Sequence, residues 1–94
     1  MQAERDSREQ EAFRAILRQL RRQSKFTQAG LAELLGRPQS FVSKYESGER
    51  RLDVLELRSV CRALGLHVGE LLSLLDVELE KLQRETDSGI QPKE

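Results

Sequence analysis

The stretch from Thr27 to Gly48, TQAGLAELLGRPQSFVSKYESG, leaves this chain few ways to fold. Its glycines and its proline divide it into two short helices around a tight turn. Thr27 is placed to cap the first helix through its hydroxyl. Phe26 and Leu31 occupy the two positions of a hydrophobic staple across that cap. Ala29, Leu31, Ala32 and Leu35 supply small and apolar contacts over two turns. Gly36 suits the left-handed residue that ends a helix. Arg37 precedes a proline and is pushed out of the helical region, whereas Pro38 suits a first turn. The second helix then runs from Pro38 to Ser47, and Gly48 closes it. Val42 and Tyr45, three apart, form its inner face. Gln39, Ser40, Ser43 and Lys44 look outward from its N-terminal half. A short helix that shows an amide, hydroxyls and a lysine from its first turns suits the major groove of DNA.

Helical periodicity extends on both sides. Ser7 and Gln10 have capping-box spacing, and Phe13, Ile16, Leu17 and Leu20 follow at i, i+3, i+4 and i+7. The opposite face carries Arg14 and Arg18, read here as solvated. Asp53 and Glu56 form a second capping box, ahead of Leu57, Val60, Cys61 and Leu64 at the same helical spacing. Cys61 reads as a small buried filler rather than a reactive thiol. Gly65 ends that helix. His67 precedes a fifth helix starting near Val68, in which Leu71, Leu72 and Leu75 close the core. Val68, Leu72, Leu75, Leu79 and Leu82 continue at spacings of four and three, the rhythm of a short coiled coil. Leu79 and Leu82 lie beyond the body of the domain. They either fold back onto the first helix or, with Leu75, pair with a second copy in a homodimer.

The same residues resemble a known family. Thr27-Gln28, Leu31-Ala32, Leu35-Gly36, Gln39-Ser40, Val42-Ser43, Tyr45-Glu46 and Gly48 match the helix-turn-helix of the phage repressor and Cro proteins, the XRE family. Leu52, the run Arg62 to Gly65 and Glu70-Leu71-Leu72 extend the match over roughly residues 13 to 75. The resemblance implies an all-α, five-helix domain of the lambda-repressor type with an extended C-terminal helix. It implies that Gln39, Ser40, Ser43 and Lys44 contact DNA bases. Gln28 and the neighbouring cap Thr27 fall on phosphate-contacting positions. Ser47, Arg50 and Arg51 lie in a loop that follows the DNA backbone in relatives. Arg21 and Glu46 fall on a structural ion pair joining the first helix to the reading helix. Pro38 replaces the usual serine or threonine cap. Phe41 stands where many relatives have a small polar residue, and packs on a thymine methyl or on a neighbouring helix.

Ninety-four residues suit one small domain. The expected organisation is a flexible segment at 1–8, the DNA-binding domain at 9–76, an extension of the last helix at 77–85 and a disordered tail at 86–94. Net charge is zero, but residues 1–52 hold eleven Lys/Arg against seven Asp/Glu, and residues 53–94 hold five against nine. The positive half surrounds the reading helix, where local phosphate contacts matter more than whole-chain charge. One histidine and one cysteine offer no metal site, no disulfide and no nucleophilic arrangement, so neither cofactor nor enzyme is expected. No apolar run approaches the roughly 18 residues of a membrane span, and the N-terminus lacks the apolar segment of a signal peptide. The expected location is cytoplasmic. The expected role is a transcriptional regulator, a repressor, whose partner is double-stranded DNA with a roughly palindromic operator. A second reading is the antitoxin of a toxin–antitoxin pair, gripping a protein partner through its C-terminal helix.

Overall fold

A computed structural model describes the backbone of residues 2–90 and the side chains of residues 7–85. Five α-helices follow one another: α1 Gln2–Gln23, α2 Gln28–Leu35, α3 Gln39–Ser47, α4 Val54–Ala63 and α5 Val68–Ile90. The described residues contain no strand.

The helix boundaries follow local chemistry. Thr27 Oγ1 accepts the Gly30 N–H at 2.9 Å and starts α2. Gly36, at φ 70°, ends it. Its N–H donates to the Glu33 carbonyl, and the Arg37 N–H reaches back to Ala32. The turn between α1 and α2 uses the same paired bonds, Lys25 to Arg22 and Phe26 to Arg21, but its left-handed residue is Lys25, at φ 65°. Asp53 and Glu56 form the anticipated reciprocal box at the start of α4.

Three boundaries differ from expectation. Helix α1 begins at Gln2, so Ser7 lies within it and makes no cap. The residues ahead of Ser7 include Gln, Ala, Glu and Arg, all good helix formers. Pro38 is the residue before α3 rather than its first helical residue, with φ −66° and an extended ψ of 154°. Helix α5 continues through Ile90, past residue 85. Once nucleated, a helix gains one bond for each further residue, so weak formers such as Thr86 and Gly89 need not stop it. Residues 91–94 of the expected tail lie outside the described residues.

Every helix contributes to one core. Leu17, Leu31, Val42, Val60, Cys61 and Leu71 are fully enclosed, with Tyr45 and Leu57 beside them. Burying each of the leucine and valine side chains contributes on the order of 1.5–3 kcal/mol of hydrophobic free energy. Leu72 is a correction: 48% of its surface is exposed, so it does not close the core. The inward line of α5 passes through Leu71 and Leu75, one helical turn apart, and Leu72 lies off that line. Helices α1 and α5 pack along each other. Arg8 near the start of α1 lies 3.8 Å from Glu85 far along α5, so the two run antiparallel. Along α5, Leu75, Leu79 and Leu82 are half-buried in the single chain.

Candidate nucleic-acid interface

Helices α2 and α3 pack closely and put α3 on the surface with one face inward. Phe41, Val42, Tyr45 and Glu46 are buried. Gln39, Ser40 and Lys44 are exposed, and Ser43 is half-buried beside them. All four expected base-contacting residues therefore fall together on or beside the outward face. Pro38 makes no side-chain hydrogen bond to the first turn of α3.

The inward face is held by a buried ion pair. Arg21 of α1 donates to Glu46 through Nε at 2.7 Å and Nη2 at 3.0 Å. Arg21 Nη1 also donates to the Phe26 carbonyl at 2.9 Å, and Gln28 Nε2 donates to Glu46 Oε1 at 3.0 Å. The pair expected from resemblance is thus present, and Gln28 joins it. One Gln28 N–H is committed to Glu46; an amide carries two, so a second remains for a phosphate. Burial pushes the Glu46 carboxyl upward, but hydrogen bonds from Arg21 and Gln28 and the charges of Arg21 and Arg18 hold it below the usual carboxylate range. Both partners are charged, and α3 is fixed to α1 and to the start of α2.

Arg18 corrects the expectation of a solvated face. Its Nη1 donates to the Glu46 backbone carbonyl at 3.2 Å, and Nη2 lies 3.6 Å from Glu11. Arg14 is a second correction. Its Nη2 donates to Glu11 at 2.6 Å, and its guanidinium rests against Gly48, 3.0 Å from where a Cβ would stand. Long arginine stems cover apolar surface while their heads find polar partners, so helical spacing alone misplaces them. Gly48, at φ 93°, needs its backbone freedom.

A second charged cluster gathers around Phe41 of α3. Arg50 donates to both oxygens of Glu56, at 2.8 and 2.7 Å, and Arg37 Nη2 reaches Glu56 Oε2 at 3.3 Å. The Arg37 and Arg50 guanidinium carbons lie 4.2 and 4.9 Å from the centroid of the Phe41 ring. Phe41 is only 7% exposed and meets Tyr45 edge-on at 5.4 Å. Of its two expected roles, packing is the one observed. The hydrogen bonds from Arg50 and from the Asp53 backbone bring the Glu56 carboxyl down to about 2. Sequence reasoning took Glu56 only as part of a helix cap and missed its hold on two arginines. The available signal was Arg37, Arg50 and Glu56 around an aromatic residue where small polar ones are common.

In the loop, Ser47 Oγ donates to the Lys44 carbonyl at 3.1 Å. Arg51 is exposed, and Arg50 Nη1 donates to its carbonyl at 3.1 Å. Thr27 and Gln28 thus stand at the start of α2, and Ser47, Arg50 and Arg51 at the end of α3 and in the loop after it, with Arg50 held by both oxygens of Glu56. Cys61 is enclosed, and burial pushes its thiol up. Among the described residues no cluster of His, Cys, Asp and Glu is placed to hold a metal ion. No described helix is long and apolar enough to cross a membrane.

Comparison with known proteins supports this geometry. A family profile described as a helix-turn-helix domain matches residues 12–75. An XRE-family like protein from Pseudomonas syringae pv. tomato superposes with a TM-score of 0.73 at 44% identity, over 78% of this chain and 89% of that one. The clp gene regulator ClgR from Corynebacterium glutamicum superposes with a TM-score of 0.72 at 28% identity, over 86% of each chain. No curated protein sequence matches.

Proposed function

The chain belongs to the XRE family of helix-turn-helix DNA-binding proteins, and on that premise we propose that it is a repressor that reads a palindromic operator through α3. The observation that carries this is the outward face of α3. Gln39, Ser40 and Lys44 stand exposed on a helix whose inner side is locked by the Arg21–Glu46 pair. Gln39 has the amide geometry for a bidentate pair with adenine, and Lys44 reaches guanine O6 or N7. Ser40 and Ser43 are short and suit either a base edge or a phosphate. Thr27, Gln28, Ser47, Arg50 and Arg51 set register on the backbone.

The regulator acts as a homodimer, with its two reading helices about 34 Å apart, one turn of B-DNA. The half-burial of Leu75, Leu79 and Leu82 along α1 weakens that stripe as the dimer seam. Leu72, Leu74 and Val77, 48%, 45% and 51% exposed, are the large apolar residues that α5 leaves for a second copy. The same exposed residues support the second reading, an antitoxin whose α5 grips a protein partner. Sedimentation of the purified chain, alone and with the product of an adjacent gene, separates the two.

The base-reading claim is tested with Gln39→Ala on a panel of duplexes differing at single positions. The expected loss is about 1–3 kcal/mol, with relaxed preference at one base position. Equal loss on every duplex would remove Gln39 from the base-reading set.

A further inference from the structure

We infer that Arg14 is a further DNA-backbone contact, closing a seat for one duplex phosphate between α1 and the loop that follows α3. The inference rests on the DNA-binding reading above and adds to it a helix that the sequence treats as scaffold.

A groove of about 430 Å³ lies where α1 passes that loop. Its polar wall includes Arg14, Ser47, Arg50 and Arg51, and its floor includes Leu17 and Tyr45. No carboxylate lines it, although Arg14 is paired with Glu11 and Arg50 with Glu56. A concave site with several cations and an apolar floor concentrates positive potential, because the floor screens poorly. The loop side of the groove is the segment proposed to follow the DNA backbone, so a duplex seated on α3 brings a phosphate to its mouth.

Arg14 is the cation that α1 brings to this groove. Its guanidinium sits on Gly48, with Nε, Cζ and Nη1 all within 3.3 Å of where a Cβ would stand. A Cβ at 48 would crowd that guanidinium by a few tenths of an ångström, a shift the long side chain can absorb. Its Nε is buried and without a hydrogen-bond partner, so it is the Nη end of the guanidinium, on a side chain 21% exposed, that faces a phosphate. Its one ion-pair partner, Glu11, is three residues away on the same helix and 60% exposed, a pair that contributes little and yields readily to a stronger anion. A phosphate offers several oxygens to a guanidinium in a geometry that suits its fork of donors. The competing account is a structural one, in which Arg14 serves as a cation beside the C-terminal carbonyls of α3. It predicts a stability effect and no change in counterion release.

The test is the salt dependence of binding to duplex DNA by the full chain. Arg14→Met keeps the stem that packs on Gly48 and removes the charge. The expected slope of log affinity against log salt becomes shallower by about 0.9, so between 50 and 200 mM salt the variant loses about threefold less affinity than wild type. The change is the same on every duplex, base preferences are kept, and Arg14→Lys restores the slope. An unchanged slope in a folded Arg14→Met protein overturns the seat while leaving the regulator reading intact. If Arg14→Met fails to fold, Arg14→Lys and Arg14→Gln are compared, and equal slopes for those two overturn the seat. A wild-type chain whose duplex binding shows no salt dependence contradicts the DNA-binding reading itself, and the seat falls with it.

Discussion

Glu46 and Glu56 make nearly the same contact and serve opposite ends. Each accepts two hydrogen bonds from one arginine, Arg21 or Arg50, with donor–acceptor distances between 2.7 and 3.0 Å. The Arg21 and Glu46 side chains are 9% and 3% exposed, whereas those of Arg50 and Glu56 are 38% and 15% exposed. Water and salt hardly reach the first pair, so breaking it strands a charge in the core. The second pair is screened, and its arginine can exchange partners. The buried pair therefore fixes where α3 points. The half-exposed pair keeps a guanidinium beside the surface where DNA is proposed to lie.

The largest expected effect lies at the buried pair. Arg21→Met leaves Glu46 charged and buried and should cost about 3–5 kcal/mol in denaturant unfolding. The double variant Arg21→Met/Glu46→Leu should recover most of that stability, because neither charge then remains. If the single variant unfolds like wild type, the contrast drawn here between the two pairs is broken.

Acid tests both carboxylates together. Each has a lower pKa in the folded chain than in the unfolded one, so the unfolded chain binds more protons as pH falls. Their contribution is complete above the ordinary carboxylate value, about 4.3, and is lost as pH drops toward the folded value, which for Glu56 is about 2. Thermal unfolding between pH 5 and pH 2, followed at low and at high salt, separates them. The loss carried by Glu46 should persist at high salt, and that carried by Glu56 should shrink. Equal salt sensitivity in Glu46→Gln and Glu56→Gln would erase the distinction.

Glu56→Gln should move DNA binding more than folding. A glutamine at this position still accepts from the Asp53 N–H but no longer neutralises Arg50, so affinity rises on every duplex alike and the salt slope steepens. A flatter slope would mean that Glu56 positions Arg50 for phosphate rather than competing for it. The smallest effect is expected at Lys25, whose left-handed backbone leads into Phe26, an acceptor for Arg21. Lys25→Gly relieves that strain and should raise stability by about 0.5 kcal/mol. A lower unfolding midpoint in this variant would show that the turn gains nothing from glycine.

Much of this arrangement is legible in the sequence, for physical reasons. Thr27, Gly36, Gly48 and the Asp53–Glu56 box mark helix ends because capping chemistry is local. Val42, Tyr45, Leu57, Val60 and Cys61 announce their burial through spacing. What escapes is chemistry between elements. Arg14, Arg18, Arg37 and Arg50 look alike as exposed cations on a helix or in a loop. Their partners, Gly48, the Glu46 carbonyl and Glu56, are set by how α1, α3 and α4 cross. Leu72 escapes for a related reason, since an apolar stripe shared by a coiled coil and a packed helix does not say which of its members faces the core. The Arg21–Glu46 pair is legible only through resemblance, whereas the outward placement of Gln39, Ser40 and Lys44 follows from their spacing opposite Val42 and Tyr45. The DNA sequence that α3 meets is not written in the spacing at all.

The most direct test of the central claim is selection of the wild-type chain and Gln39→Ala against a random duplex pool at near-physiological salt, read by sequencing. The account predicts an enriched inverted repeat for wild type, with half-sites one helical turn apart, and the same repeat with one relaxed position per half-site for the variant. No enriched sequence for wild type, at any salt where it stays folded, would contradict it.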